Sequence, residues 1–430
     1  MDIKDFEVIL RDQMNELRET DFSQFVTRKE EKELDLNSNL VQVVIGVRRC
    51  GKSTLCQKVL MESKRNFAYV NFDDENLANL NAEQLNDILK ALYNLYGNFD
   101  CLFMDEIQNA PKWHLFVNRL LRQKLHLVIT GSNANLLSSD LATHLTGRYN
   151  QIELFPFSFQ EYCTAKGIDT TSLTTKASGL RLHALEQYMK QGGFPETLIM
   201  KNQRRYIMSL LEAILTKDIC KRYKIRYKTT LRQIANATLD KFCQELSFAS
   251  LKKDYQIKSI HTVKNYVSYL EEAYLLRILP RFSYKSIDRQ TSRKCYAIDT
   301  AFVDDHEDAL LTENLGWRLE NIVAIELMRR MQYESEQLYY IKQPKSFEID
   351  FALTDRNRVT ELVQVTYDFR NPSKRLYNRE IGGLLKGAAL TKCYNLTLVM
   401  MYGETKDIVA EEFQPRHFLC CQWLLPRQDM

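Results

Sequence analysis

The segment Gly46-Val47-Arg48-Arg49-Cys50-Gly51-Lys52-Ser53 follows directly on the β-branched run Val41–Ile45 and leads through Thr54 into a stretch of helical character ending near Met61. Two glycines flanking four residues, with Lys-Ser behind them, let a loop turn so that its backbone N–H groups converge on phosphate oxygens. The positive end of the following helix lies behind them. In that geometry Lys52 reaches the β- and γ-phosphates, Ser53 holds magnesium, and Gly51 allows an approach that a Cβ would block. A loop of this kind needs a strand before it and a helix after it. It therefore constrains the fold to an α/β domain with a parallel P-loop sheet.

The residues that follow keep the alternation. Residues 67–72, 101–104 and 125–130 read as strands, and 82–96 and 112–123 as helices, which predicts a sheet covered on both faces. The strand at 101–104 is apolar and ends in Asp105-Glu106. An acid at a strand end holds magnesium through water, and a second orients or deprotonates the attacking water. Asp105 takes the first role and Glu106 the second. The next strand ends in Thr130-Gly131-Ser132-Asn133, at the carboxyl edge where open α/β sheets bind ligands, so Ser132 or Asn133 is placed to sense the γ-phosphate. Arg148 is the candidate cation for charge developing on that phosphate, within the chain or across a subunit boundary, with a plain surface arginine as the alternative. Arg28, Arg48 and Arg49 add positive potential. The expected nucleotide contacts are Gly46, Val47, Arg48, Arg49, Cys50, Gly51, Lys52, Ser53, Thr54 and Ser132, and the expected cofactors are ATP and Mg²⁺.

At 430 residues the chain calls for several cores. Residues 1–160 form the expected P-loop core and 161–230 a helical lid or bridge, broken by the Thr- and Ser-rich stretch 169–178 and by Gly192-Gly193-Phe194-Pro195. Within 231–285, Ile260, Val263, Val267, Leu270 and Tyr274 recur at helical spacing, and two helices joined by a tight turn there would make a helix-turn-helix. Residues 286–430 alternate again, with strands at 295–298, 337–342, 348–353, 360–365 and 395–401 and helices at 315–331 and 378–389. This is a second, smaller α/β domain.

With 45% apolar and 27% charged residues the composition is that of a soluble globular protein, and the longest apolar runs are too short to span a bilayer. The acidic start Met-Asp-Ile-Lys-Asp-Phe-Glu lacks a secretory signal, so a cytoplasmic location and no membrane partner are expected. The ten cysteines contain no Cys-x-x-Cys pair and read mostly as buried thiols. A net charge of +4 does not announce nucleic acid. Local clustering at Lys217, Lys221, Arg222, Lys224, Arg226 and Lys228, interleaved with Tyr223 and Tyr227, still builds a basic segment.

Together, GVRRCGKSTL, LFMDEIQNAPKW, VITGSNANLLSSDLATHLTGR and KQGGFPE resemble a family of prokaryotic AAA-like ATPases, related to the STAND ATPases, that carry a shared C-terminal domain of unknown function. The likeness runs from about Thr27 almost to the C-terminus. It implies that Ser132-Asn133 is the sensor, that Arg148 is the characteristic arginine, and that ATP turnover works as a switch. It also implies a winged helix followed by a fold resembling PD-(D/E)xK nucleases. Residues 248–253, a turn near Gln256 and residues 259–274 suit the two key helices, with Lys258, His261 and Lys264 facing phosphates or bases. Glu320 and Asp350 match the metal-binding acids of the nuclease pattern. The third element departs from it: Gln364-Val365-Thr366 puts threonine where an active nuclease carries lysine. Two acids and Gln364 could still hold a metal, but the attacking water lacks its cationic partner, so cutting is not expected.

The expected protein is thus a magnesium-dependent ATPase acting as a switch on DNA or on a protein partner. The alternatives are an ATP-binding signalling or scaffold protein with negligible turnover, and an ATP-regulated nuclease.

Overall fold

A computed structural model describes residues 1–132, 145, 147–283, 292–303, 311–332, 334–356, 358–405 and 415–426. The chain divides into two compact units. One is Met1–Phe155 with Glu272–Tyr274, and the other is Pro156–Glu271 with Leu275–Met430.

The first unit opens with α1 (Ile3–Glu19). Asp2 caps it by accepting from the Asp5 N–H while the Asp5 carboxylate accepts in turn from the Asp2 N–H, and Phe6, Leu10 and Leu17 give the helix a buried face. The glycine loop joins β1 (Val41–Ile45) to α2 (Lys52–Glu62). There follow β2 (Phe67–Asn71), α3 (Gln84–Tyr96), β3 (Cys101–Asp105), α4 (Trp113–Arg122), β4 (His126–Gly131) and β5 (Tyr149–Glu153). The five strands form one parallel sheet in the order β2-β3-β4-β1-β5. Every residue of β1 and β3 is buried, and apart from Gln42 and Asp105 all of them are apolar. Parallel pairing brings the ends of β1, β3 and β4 to one edge, and there the sheet delivers the glycine loop, Asp105 and Gly131 together.

The second unit begins with α5 (Phe159–Ala165) and α6 (Thr175–Gln191). After α6 the chain turns at Gly192, whose φ is +73°. A Cβ at Gly192 would lie 1.7 Å from the Asp299 carboxylate, and one at Gly193 would lie 2.2 Å from the Phe157 carbonyl oxygen. The glycine pair is the price of that close approach, since the Gly193 and Ala301 N–H groups both donate to Asp299 at 2.8 Å. The helix α7 (Gln203–Ala213) then runs into a π-helical turn at Ile214–Cys220.

Next come α8 (Lys228–Asp240), β6 (Gln244–Glu245), α9 (Phe248–Asp254), α10 (Ile260–Glu272), β7 (Leu276–Pro280) and β8 (Arg293–Ala297), with the strands paired antiparallel in the order β6-β8-β7. The last portion holds α11 (Leu311–Met331), β9 (Glu336–Gln343), β10 (Phe347–Asp355), β11 (Arg358–Asp368), α12 (Lys374–Thr391), β12 (Leu396–Tyr402) and β13 (Arg416–Leu419). Its sheet order is β13-β12-β11-β10-β9, antiparallel from β9 to β11 and parallel beyond. Helix α11 packs on β11, and α12 on β10 and β11. All ten cysteines are buried and unpaired. Among the described residues no helix is long and apolar enough to cross a membrane.

Candidate functional site

The site grows from the end of β1. Gly51 adopts a φ of +102° and α2 begins at once with Lys52; the first bond inside the helix runs from the Leu55 N–H to the Gly51 carbonyl at 2.9 Å. The N–H groups of Lys52, Ser53 and Thr54 therefore have no acceptor within the helix and point out of its positive end. Crowding falls on the other glycine. A Cβ on Gly46 would meet the Leu154 carbonyl oxygen at 2.1 Å, whereas at Gly51 the nearest atom is the Arg28 guanidinium at 3.8 Å. Within the protein, Gly51 is needed for its backbone conformation and Gly46 for space. Arg28 is buried and works as a brace, donating to the Cys50 carbonyl at 3.2 Å and the Phe155 carbonyl at 2.9 Å. Arg48 reaches Asp73 at 3.4 Å, and Arg49, exposed, takes a φ of 68°.

Lys52 is buried, and its ammonium donates to the Gly46 and Val47 carbonyls at 3.2 Å each and lies 3.8 Å from the Glu106 carboxylate. Ser53 Oγ donates to Asp105 Oδ1 at 2.8 Å. A hydroxyl and a carboxylate oxygen this close are the hard-oxygen pair that magnesium takes alongside nucleotide phosphates. Burial, and then the Glu106 charge beside it, pushes the Asp105 carboxyl up to about 6, against the opposing pull of Thr130, Ser53 and Lys52. Burial likewise works against charge on Glu106, but Lys52, Arg48, Gln108 and Ser132 outweigh it and hold this carboxyl below the ordinary glutamate range. The two neighbouring acids are thus driven apart in proton affinity.

Two residues that the sequence reading did not assign fix this pair. Thr130 Oγ1 donates to Asp105 Oδ1 and accepts the Glu106 N–H at 2.9 Å, so one hydroxyl positions both acids. Gln108 Nε2 donates to Glu106 Oε2 and to Ser132 Oγ at 3.4 Å. Both stand in motifs already singled out, Thr130 at the end of β4 and Gln108 two residues beyond Glu106. For Thr130 the signal is a polar side chain at the end of a buried strand; Gln108, in the turn after β3, carries none.

Ser132 is buried at the edge of the site. Asn133 lies outside the described residues. Arg148 is exposed, and its carbonyl accepts from the N–H of Val41 at the start of β1. The glycine loop leaves the other end of that strand, roughly 13 Å away at the rise of a parallel strand. Arg148 therefore stands at the opposite end of β1 from the glycine loop.

The C-terminal acids also come together, but around a cation. Lys294 on β8 places its ammonium 3.2 Å from Glu320, 2.8 Å from Glu348 and 3.8 Å from Asp350. Gln364 accepts the Asp350 N–H at 3.3 Å and donates to Glu380 at 2.8 Å, which engages both ends of its amide. Among the described residues no group of three or more His, Cys, Asp and Glu side chains is arranged to hold a metal. The donor set therefore does not fit the metal that the nuclease likeness implies.

Comparisons with known proteins agree with the nucleotide loop. Residues 38–163 match the family model described as an AAA domain, and residues 182–308 match a domain of unknown function, DUF8612. The uncharacterized protein MJ1544 of Methanocaldococcus jannaschii is 34% identical over 375 residues, 85% of this chain and 82% of that protein. An uncharacterized protein of Haemophilus influenzae is 28% identical over 355 residues, 77% and 84% of the two chains. Among solved structures, AMPPCP-bound DnaA from Aquifex aeolicus is 14% identical with a TM-score of 0.27, over 58% of this chain and 91% of that one. A likeness at that level carries no argument.

Proposed function

This chain belongs to the same family as the Methanocaldococcus jannaschii protein, and from that premise, with its AAA domain, we propose that it is a magnesium-dependent ATPase whose nucleotide state controls binding of DNA. The observation that carries the first half is the convergence of Lys52, Ser53, Asp105 and Glu106 on the helix N-terminus after β1. Lys52 and the loop N–H groups would hold the phosphates, and Ser53 with Asp105 the magnesium, which supplies charge neutralisation on the phosphoryl oxygens. Glu106, ionised and steadied by Gln108, would orient and deprotonate the attacking water. Ser132 or Asn133 would sense the γ-phosphate, and Arg148, at the opposite end of β1 from the loop, would act on the nucleotide of a neighbouring subunit.

Asp105 gives this reading a pH dependence. A carboxyl raised to about 6 keeps its proton at pH values where an ordinary aspartate has lost it, and magnesium must displace that proton. Magnesium affinity in the presence of a non-hydrolysable ATP analogue is expected to be level above about pH 6 and to fall about tenfold per unit below it. Calorimetric titration of magnesium across that range checks the point, and a profile level down to about pH 4.5 would show that the metal site contains no carboxyl of raised proton affinity.

Support for DNA comes from the second unit. The order α8-β6-α9-α10-β7-β8 resembles that of a winged helix, in which α10 would be the recognition helix. Val263, Tyr266, Val267 and Leu270 bury one face of α10, leaving His261, Lys264, Asn265 and Ser268 exposed on the other. Lys252, Lys253 and Lys258 are exposed beside them. Tyr223 stacks on Tyr269 of α10 at 3.8 Å, which draws the basic segment 217–228 to the same helix, where Lys217, Lys221, Lys224, Arg226 and Lys228 are exposed. Such a surface suits phosphates first and base edges second.

Replacing Lys258 and Lys264 together by alanine is expected to weaken duplex binding about tenfold or more in about 0.1 M salt and to flatten the log–log salt dependence by about 2, one for each lost phosphate contact. Fluorescence anisotropy with labelled duplex, with and without ATP, measures both. Unchanged affinity and slope would turn the reading toward a protein partner.

A further inference from the structure

The acids of the C-terminal domain match a metal-dependent pattern in sequence, and the reason they do not form a metal site is a residue far from them in the chain. Lys294 lies on β8, in the three-stranded sheet with β6 and β7, yet its ammonium is buried among Glu320 of α11 and Glu348 and Asp350 of β10. Two residues on, and therefore on the same face of the strand, Tyr296 donates its hydroxyl to Glu320 Oε1 at 2.9 Å. Asp350 Oδ2 accepts the Val365 N–H at 2.9 Å. The oxygens that would coordinate a metal are thus engaged by donors of the protein itself.

We propose that Lys294 is the resident cation of this domain: its ammonium takes the position among Glu320, Glu348 and Asp350 that a divalent metal would occupy, and so converts a metal-type site into an internal clasp between β8 and the sheet of β9 to β13. The balance of forces supports this. Burial opposes the charge on Lys294, but the carboxylates of Glu320, Asp350 and Glu348 outweigh it and hold the ammonium well above the ordinary lysine range. The geometry also explains Thr366. With the cation supplied from β8, a lysine at 366 would add positive charge to a cluster already served, and threonine is the tolerated residue. The domain then binds or transmits, and does not cleave.

Removing the ammonium should expose what it replaces. In nucleotide-free full-length protein, Mn²⁺ binding followed by electron paramagnetic resonance is expected to be the same for the parent and for Asp350→Asn. Lys294→Gln is expected to gain about one equivalent, which Asp350→Asn introduced into the same chain abolishes. Supercoiled DNA with Mn²⁺ should remain uncut by the parent. An Asp350-dependent Mn²⁺ site in the parent, Asp350-dependent nicking by the parent, or a folded Lys294→Gln protein with no additional Mn²⁺ would each overturn the proposal. Should Lys294→Gln fail to fold, the parent and Asp350→Asn comparison decides alone: a difference in bound Mn²⁺ overturns the resident-cation reading, and equality upholds it.

Discussion

Glu106→Gln is expected to lower steady-state phosphate release by about 10²–10⁴-fold while leaving ATP binding intact. The glutamate is not replaceable by an isostere because its value lies in its charge. Lys52, Arg48 and Gln108 hold it ionised against burial, and an amide at the same place keeps the volume and loses the base. The backbone shows how firmly the position is set. Glu106 has a φ of 49°, a left-handed conformation that costs a non-glycine residue about 1–2 kcal/mol, and its N–H is tied to Thr130 Oγ1. Strain at a residue aimed beside the phosphate cradle is consistent with positioning for chemistry. Binding should survive because the loop N–H groups, Lys52 and Ser53 do not depend on the Glu106 charge, and loss of the Lys52–Glu106 pair frees the ammonium for phosphate. Phosphate release and fluorescent-nucleotide binding, measured on the same preparation, separate the two effects. Turnover near that of the parent would remove Glu106 from the chemistry, and weakened binding with unchanged turnover at saturation would recast it as a loop-positioning residue.

What could be read beforehand was what local rules express. The run Val41–Ile45, its loop and α2 carry their own period change, and Asp105-Glu106 announces itself by ending a buried strand. Strand β5 was not anticipated, because Tyr149-Asn150-Gln151-Ile152-Glu153 lies at the edge of the sheet and buries only Ile152, leaving no apolar run to detect. Helix α1 is legible in its cap at Asp2 and Asp5 and in the apolar stripe Phe6, Leu10 and Leu17. Arg148 was placed by motif, and pairing of β5 with β1 then set it at the far edge of the sheet, a consequence of register that sequence does not carry. Lys294 is the clearest case of what sequence cannot hold. Its partners at 320, 348 and 350 are joined to it only by the folding of β8 against α11 and β10, and no spacing rule links them.

The second large effect is structural and concerns the glycine pair after α6. Gly192→Ala is expected to destabilise the protein by about 4 kcal/mol or more, in the range that only a severe clash or a lost buried network reaches. Two costs combine. A φ of +73° is unfavourable for alanine, and the new Cβ would fall 1.7 Å from Asp299 Oδ1 and 2.7 Å from the Ala301 Cβ. Asp299 cannot swing aside as a surface side chain would, because its two oxygens accept the Gly193 and Ala301 N–H groups and it is buried. Displacing it leaves the buried Gly193 N–H without an acceptor, at a cost of about 1–3 kcal/mol, and the part-buried Ala301 N–H as well. The neighbouring Gly193 offers no relief, since its own carbonyl accepts the Phe157 N–H at 2.7 Å and pins the turn from the other side. Thermal unfolding followed by circular dichroism should show the midpoint lowered by roughly 10 °C, given the few degrees per kcal/mol expected for a unit of this size. Adding Asp299→Ala to Gly192→Ala supplies the control: it removes the clash but not the orphaned donors or the backbone strain, so it should recover part of the loss and not all of it. A midpoint for Gly192→Ala within a degree or two of the parent would mean that the turn relaxes freely, and that Asp299 does not hold the glycine pair as the hydrogen bonds indicate.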